Sequence, residues 1–262
     1  MTHADGYFAI GSSHTVCQDY VRTGKTKDGR AYAIVSDGCS SSKDTDIGAR
    51  FLVRAAEYFI IQGIPFHIES IIAQARTWAG AMLMPSYCLD ATLLVAYEHF
   101  DGNTIQVHMY GDGVLACRRR TGEVEIVQVE YPNGAPFYPN YMIDLDREAS
   151  FMQLDNYQPI ITYANGATER GRPRDGLSLS LYKSEYDLAV LSTDGMVSFR
   201  KGHDPVSVQD IVAQVIAVQS NAGEFMVRRA KRFLGSYCKN QGWDHYDDFS
   251  VGAILIETEE TP

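Results

Sequence analysis

The run Tyr32-Ala33-Ile34-Val35-Ser36-Asp37-Gly38-Cys39 most constrains what this chain can fold into. Its β-branched and aromatic residues read as a buried strand, and Asp-Gly at its end sets a carboxylate where the chain turns out of a sheet. The arrangement recurs: Leu188-Ala189-Val190-Leu191-Ser192-Thr193-Asp194-Gly195 is again an apolar strand that breaks into Asp-Gly. Asp247-Asp248 stand directly before Phe249 to Ile256, so an acidic pair opens a third strand. Singly, each Asp-Gly is also a common turn. Carboxylates at strand ends, drawn from remote parts of one chain, are a usual way to hold hard divalent cations such as Mg2+ or Mn2+.

With 262 residues the chain can bury a large core, and no Pro-, Gly- or Ser-rich linker divides it, which points to a single domain over residues 1–262. A hydrophobic content of 45% argues against disorder. Lys+Arg number 23 and Asp+Glu 33, and the net charge of -10 argues against a nucleic-acid surface. The basic run Arg118-Arg119-Arg120 precedes a Thr-Gly turn signal and reads as a solvated hairpin end. Cys17, Cys39, Cys88, Cys117 and Cys238 are odd in number and lack CxxC spacing, so reduced thiols of a cytoplasmic protein are expected rather than disulfides or a zinc site. Residues 1–6 have neither the basic start nor the apolar core of a secretory signal. No apolar run approaches the ~20 residues that span a bilayer, so no membrane partner is expected.

Along the chain, Tyr7 to Ile10 is the first expected strand, followed by a polar loop that carries His14 and Asp19. Thr23 to Arg30 reads as a hairpin turn into the Asp37 strand. A helix is expected from Asp46 as N-cap, with Ile47, Phe51, Ala55, Tyr58 and Phe59 on one face. Ile68, Ile71, Ile72, Ala75, Ala79 and Met82 place a second helix that ends before Pro85. The strands Ala91–Tyr97 with Ile105–Tyr110, and Val114–Cys117 with Val124–Val129, are joined by short turns and should pair antiparallel. Between Tyr131 and Tyr186 prolines and glycines interrupt short apolar pieces, an irregular excursion of the kind that carries substrate-facing loops, or simply a tolerated surface insertion. Ser207 with Asp210 resembles a capping arrangement for a helix carrying Val208, Ile211, Val212, Val215 and Val218, and Met226, Ala230, Phe233 and Tyr237 align on another. This order of elements suits an α+β fold in which two antiparallel sheets pack face to face with helix pairs outside.

In order, Gln18-Asp19, Val35-Ser36-Asp37-Gly38, Asp90-Ala91-Thr92, Gly111-Asp112-Gly113, Leu191-Ser192-Thr193-Asp194-Gly195 and Asp247-Asp248-Phe249-Ser250-Val251 form a series. This series resembles the PP2C (PPM) family of metal-dependent Ser/Thr protein phosphatases, particularly its compact bacterial members, from about Gly11 to Ile256. The resemblance implies a four-layer αββα sandwich with two Mn2+ or Mg2+ ions in a cleft at one end. It implies that Asp37 bridges the ions, that the Gly38 carbonyl ligates one, and that Asp194 and Asp247 are the other carboxylate ligands. Asp248 is the alternative to Asp247. Asp19 would support the site through water or hydrogen bonds. Asp112 falls where the family sometimes binds a third ion, but Ser198 replaces an Asp that helps to hold it, which argues against that third site.

The chemistry agrees with the resemblance. Clustered carboxylates repel and protonate unless divalent cations compensate them. Two such ions lower the pKa of a shared water and clamp the phosphoryl group, so that hydroxide displaces the Ser or Thr alkoxide without a covalent intermediate. Three positions depart from the family pattern: His14 stands where many members have a phosphate-binding Arg, Gln18 where Glu is common, and Cys39 where a His often follows Asp-Gly. His14 then either contacts the phosphate when protonated or makes hydrogen bonds within the loops around it. The implied function is hydrolysis of phosphoserine and phosphothreonine in proteins, opposing a Ser/Thr kinase, by a monomer. Two alternatives stand beside it, a catalytically weak regulatory or phospho-binding module of the same fold and a small-metabolite phosphatase.

Overall fold

In the computed structural model, which describes residues 1–218 and 223–257, strands β1 (Thr2–Ala9), β2 (Tyr20–Lys25) and β3 (Ala31–Ser36) precede helices α1 (Thr45–Gln62) and α2 (Ile68–Ala81). Four consecutive strands follow: β4 (Leu93–Glu98), β5 (Thr104–Tyr110), β6 (Gly113–Arg119) and β7 (Val124–Glu130). A short helix α3 (Leu145–Phe151) then leads to β8 (Ile160–Thr162), β9 (Thr168–Arg170), β10 (Leu177–Tyr182) and β11 (Tyr186–Ser192). The remaining elements are β12 (Phe199–Lys201), β13 (Asp204–Pro205), α4 (Val208–Val215), α5 (Phe225–Arg232), β14 (Trp243–His245) and β15 (Phe249–Ile256). No helix among the described residues is long and apolar enough to cross a membrane.

Of the two large sheets one has the order β10-β5-β4-β3-β2 and the other β1-β15-β11-β6-β7-β8-β9, and a small third sheet has the order β13-β12-β14, with antiparallel pairing throughout. The expected hairpins form, β4 with β5 in one sheet and β6 with β7 in the other. Between them the chain crosses from sheet to sheet within Gly111-Asp112-Gly113. Gly111 takes φ 93° there, and a Cβ on it would stand 2.6 Å from the Thr92 methyl, so the crossing needs glycine.

Side chains alternate between layers along each strand. Tyr32 and Ile34 of β3 face α1 and α2, while Ala31, Ala33 and Val35 face the other sheet. Leu188 and Val190 of β11 face α4 and α5, whereas Ala189 and Leu191 point between the sheets. Both faces of the central strands are thus covered, which is why they read as unbroken apolar runs rather than as polar alternation. The result is the expected α+β layering of helices, sheet, sheet and helices.

Several local expectations are corrected. β1 begins at Thr2 rather than Tyr7, because it pairs with β15 along its whole length, from Thr2–Ile256 to Ala9–Phe249. Its polar Asp5 accepts hydrogen bonds from the Met226 and Val227 N–H groups (2.6 and 3.1 Å) and so caps α5 from another element. Helix α1 begins after Asp44 rather than at Asp46. Its buried face carries Ala49, Leu52, Val53, Ala56 and Ile60 beside the expected Ala55, while Tyr58 is exposed. Met82 lies past the end of α2 and is exposed, and Val218 lies beyond α4. The Ser207 cap forms, its Oγ accepting from the Asp210 N–H at 3.1 Å. Arg118, Arg119 and Arg120 sit at a hairpin end but are engaged, with Asp187, with Glu125 and Glu185, and with the Lys183 carbonyl.

Candidate metal centre

At one end of the two sheets the strand termini converge on a cavity of about 670 Å3, lined by His14, Asp37, Gly38, Cys39, Asp112, Asp194 and Asp247 among others. Asp37 is delivered by the end of β3 in one sheet and Asp194 by the end of β11 in the other. The Asp37 N–H donates to Thr92 Oγ1 (3.0 Å), and the Thr92 N–H returns to the Asp37 carbonyl (2.8 Å). Gly38 bridges to Ala91, and the Cys39 N–H donates to the Asp90 carbonyl (2.8 Å), so the loop after β3 is strapped to the entry of β4. Gly195 has no room for a side chain: a Cβ would come within 1.8 Å of the Asp248 carbonyl oxygen. That close approach brings the end of β11 against the start of β15, and with it Asp194 toward Asp247.

Asp247 and Asp248 have separate surroundings. Asp247 lines the cavity; its N–H donates to Ser198 Oγ (3.3 Å), whose hydroxyl donates to the Gly195 carbonyl (2.9 Å). Asp248 is buried behind it and accepts from the N–H groups of Gly11 (2.7 Å) and Gln18 (2.6 Å). His14 lies between the two, Nδ1 3.1 Å from Asp248 Oδ2 and Nε2 3.4 Å from Asp247 Oδ1. The Gln18 amide donates to Thr45 Oγ1 (2.7 Å) and to the Cys39 carbonyl (3.3 Å), bracing the loop that carries Gly38. Asp19 is buried; its Oδ2 accepts from Thr193 Oγ1 at 2.8 Å, while Oδ1 has no hydrogen-bond partner.

The electrostatics follow from crowding half-buried acids together. Burial pushes the Asp37 carboxyl well above the ordinary carboxylate range, and the charges of Asp19, Asp194 and Asp112 push it further. Asp194 is raised likewise, by burial first and then by Asp112, Asp247 and Asp19. Burial raises Asp19 to about 7 against the hydrogen bond from Thr193, and raises Asp112 to about 6. For His14, burial favours the neutral ring, but the hydrogen bond to Asp248 and the charges of Asp248, Asp247 and Asp19 outweigh it and raise the pKa. Burial also raises the Cys39 thiol, but hydrogen bonds with Ser41 and Tyr138 reverse the balance and lower it.

Among the described residues, no three His, Cys, Asp or Glu side chains already stand in ligating geometry. The donor set nevertheless fits hard divalent cations in its chemistry: clustered, half-buried carboxylate oxygens that raise one another's pKa, and an orphaned carboxylate oxygen on buried Asp19. Arg147, which sequence reasoning passes over, also reaches this cavity as its one lysine or arginine side chain among the described residues. It lies on α3, within the weakly patterned stretch, and pairs with both oxygens of the buried Asp90 at 2.5 and 2.6 Å. Its guanidinium stacks over the Tyr141 ring, 4.6 Å from the centroid.

A family model described as Protein phosphatase 2C matches residues 10–234. No curated protein matches the sequence. Among solved structures, a bacterial serine phosphatase superposes with a TM-score of 0.63 at 10% identity, covering 100% of both chains. The serine/threonine phosphatase Stp1 from Staphylococcus aureus superposes with a TM-score of 0.61 at 13% identity, covering 98% of this chain and 96% of that one. The catalytic domain of the serine/threonine protein phosphatase PstP, in complex with 2 manganese ions, gives a TM-score of 0.55 at 14% identity, with coverage of 98% and 99%. At these identities the likeness is one of fold.

Proposed function

The chain belongs to the protein phosphatase 2C family, and from that membership we propose that it hydrolyses phosphoserine and phosphothreonine in proteins with the help of two Mn2+ or Mg2+ ions. In this reading it is one cytoplasmic domain, working as a monomer, that opposes a Ser/Thr kinase. The observation that supports it most is the meeting of Asp37, Asp112, Asp194 and Asp247, from four separate stretches of chain, on one cavity. When bound, the ions would supply the missing positive charge and make a water reactive near neutrality.

Asp37, the Gly38 carbonyl, Asp194 and Asp247 would hold the ions, since these groups border the cavity directly. Asp19, held by Thr193, would support the ions through water with its unpartnered oxygen, and Asp248 fixes the Gly11–Gln18 loop. Asp112 contributes charge at the cavity wall; Ser198 braces Asp247 instead of offering a carboxylate of its own. Arg147 is the cationic group that would meet the phosphate, since it retains N–H groups beyond the two directed at Asp90, while His14 adds positive charge beside Asp247 and Asp248 and would reach the phosphate only by leaving Asp247. The alkoxide of the substrate departs by direct displacement, so no side chain need act as nucleophile.

The test is Mn2+-dependent hydrolysis of p-nitrophenyl phosphate and of a phosphoserine peptide. Asp194→Asn is expected to lower both rates by at least about a hundredfold. Equal rates with and without EDTA, or unchanged activity in the variant, would refute the metal-dependent reading. Turnover confined to small phosphomonoesters would transfer it to the small-metabolite alternative.

A further inference from the structure

We propose that a basic ledge that presents Arg170 and Arg172, anchored by Arg174, selects substrates in which Asp or Glu lies about four to six residues from the phosphoserine. This inference rests on the phosphatase reading above and adds to it a class of peptide.

The ledge is placed by strand register. Gly113, next to Asp112, pairs with Val129, Val129 with Ile161, and Ile161 with Glu169. One row further, Glu130 pairs with Ile160 and Ile160 with Arg170. Arg170 is therefore at the cavity end of its sheet, three strand spacings from Gly113, roughly 14 Å at ~4.8 Å per strand. An extended peptide covers ~3.3 Å per residue, so about four residues carry it from the phosphate to the ledge, and the arginine side chains extend the reach by one or two more.

The ledge is tied to the cavity wall through α3. The Gly171 N–H donates to the Pro159 carbonyl (2.9 Å), Pro173 is buried, and the Asp175 N–H donates to the Arg172 carbonyl (3.1 Å). Arg174 contacts both carboxylate oxygens of Glu148 at 2.9 Å. Glu148 lies on α3, whose Arg147, Ser150 and Phe151 line the cavity, so cavity wall and ledge are joined.

Charge complementarity names the occupant. Arg170 and Arg172 are exposed, and neither has an ion pair or side-chain hydrogen bond among the described residues. The acids nearest in sequence are Glu169 and Asp175. Glu169 alternates to the other face of β9, where its carboxylate accepts from the Tyr163 hydroxyl (2.6 Å). Asp175 is exposed, and with Arg174 already answered by Glu148 it leaves Arg170 and Arg172 in excess of a single carboxylate. In a chain of net charge -10, two guanidinium groups without an ion pair among the described residues are a local attractor for acidic peptide.

The experiment compares kcat/KM of the Mn2+-loaded protein on phosphoserine peptides carrying Glu, Ala or Lys at the fourth to sixth positions, first on one side of the phosphoserine and then on the other. On one of the sides the Glu peptide is expected to exceed the Ala peptide by about three- to tenfold, as for one or two exposed ion pairs, and to lose that advantage at high salt. The double variant Arg170→Ser/Arg172→Ser should erase the preference while p-nitrophenyl phosphate turnover stays at the wild-type rate. Arg170→Glu/Arg172→Glu should shift the preference to the Lys peptide. Equal kcat/KM for Glu and Ala peptides on both sides, or a preference that survives in the serine variant, would overturn the ledge while normal p-nitrophenyl phosphate turnover leaves the phosphatase reading standing. Absence of that turnover in the wild type would overturn the phosphatase reading itself.

Discussion

Asp90 is fully buried, and among the described residues its compensation comes from a single cation, Arg147, with neutral support from Asn140 Nδ2 (3.2 Å) and Ser42 Oγ (2.9 Å). Removing one partner of a buried pair leaves the other charge without an answer, which costs more than the pair itself was worth. Arg147→Ala is therefore expected to destabilise the protein by about 3 kcal/mol, lowering Tm by roughly 6 °C in a chain of this length. KM for p-nitrophenyl phosphate should rise in the same variant. Arg147→Lys keeps the charge but not the two-pronged contact, so calorimetry should place it between the wild type and alanine. A wild-type Tm in the alanine variant would show that Asp90 does not depend on this cation. The acids at the cavity were legible in the sequence because each interrupts an apolar strand, as Asp37 and Asp194 do. Arg147 was not, since its partner lies 57 positions away and its own surroundings carry no period. The difference between Asp247 and Asp248 was equally hidden, because it depends on N–H groups of Gly11 and Gln18, more than 200 residues distant.

The strands were legible for the same reason that the core is layered: β-branched runs covered on both faces stay apolar throughout, and turn residues mark their ends. The orientation of α1 was not, because the large residues Phe51, Tyr58 and Phe59 lie along its flank while Gly48, Ala49, Ala55 and Ala56 make the closest approach. Side-chain size is a poor guide where a helix packs tightly, since the tightest contact excludes large residues. Gly48 is the extreme case: a Cβ there would stand 1.6 Å from the Cys88 carbonyl oxygen. Helix propensity alone favours Gly48→Ala by about 1 kcal/mol. Contact with backbone reverses the sign, and overpacking should produce a net loss of about 2 kcal/mol or more. Urea denaturation distinguishes the two effects, because a higher midpoint for Gly48→Ala would mean that α1 does not sit this close to the segment before β4.

At the scale of the whole molecule, the cavity lies where the two sheets end together, with Asp37 carried by one and Asp194 and Asp247 by the other. A divalent cation held by all of them would tie the sheets across that opening, so its binding should register as global stability. At a Mn2+ concentration about a hundred times Kd the gain is about 2.7 kcal/mol, or a Tm rise of roughly 5 °C. The effect should depend on pH in a defined direction. Burial raises Asp19 to about 7 and Asp112 to about 6, and raises Asp37 and Asp194 as well, so the folded protein holds these protons more tightly than the unfolded chain does. Without metal, their contribution to stability is complete below about pH 4, the ordinary Asp value, and is lost as the pH rises through the raised values, to about 7 for Asp19. Mn2+ competes with those protons and binds the ionised carboxylates, so its stabilisation should be large at pH 8 and small at pH 5. Thermal scans with Mn2+ and with EDTA at the two pH values measure both quantities. A shift of equal size at both, or none at either, would mean that these buried acids are not the groups that take the ion.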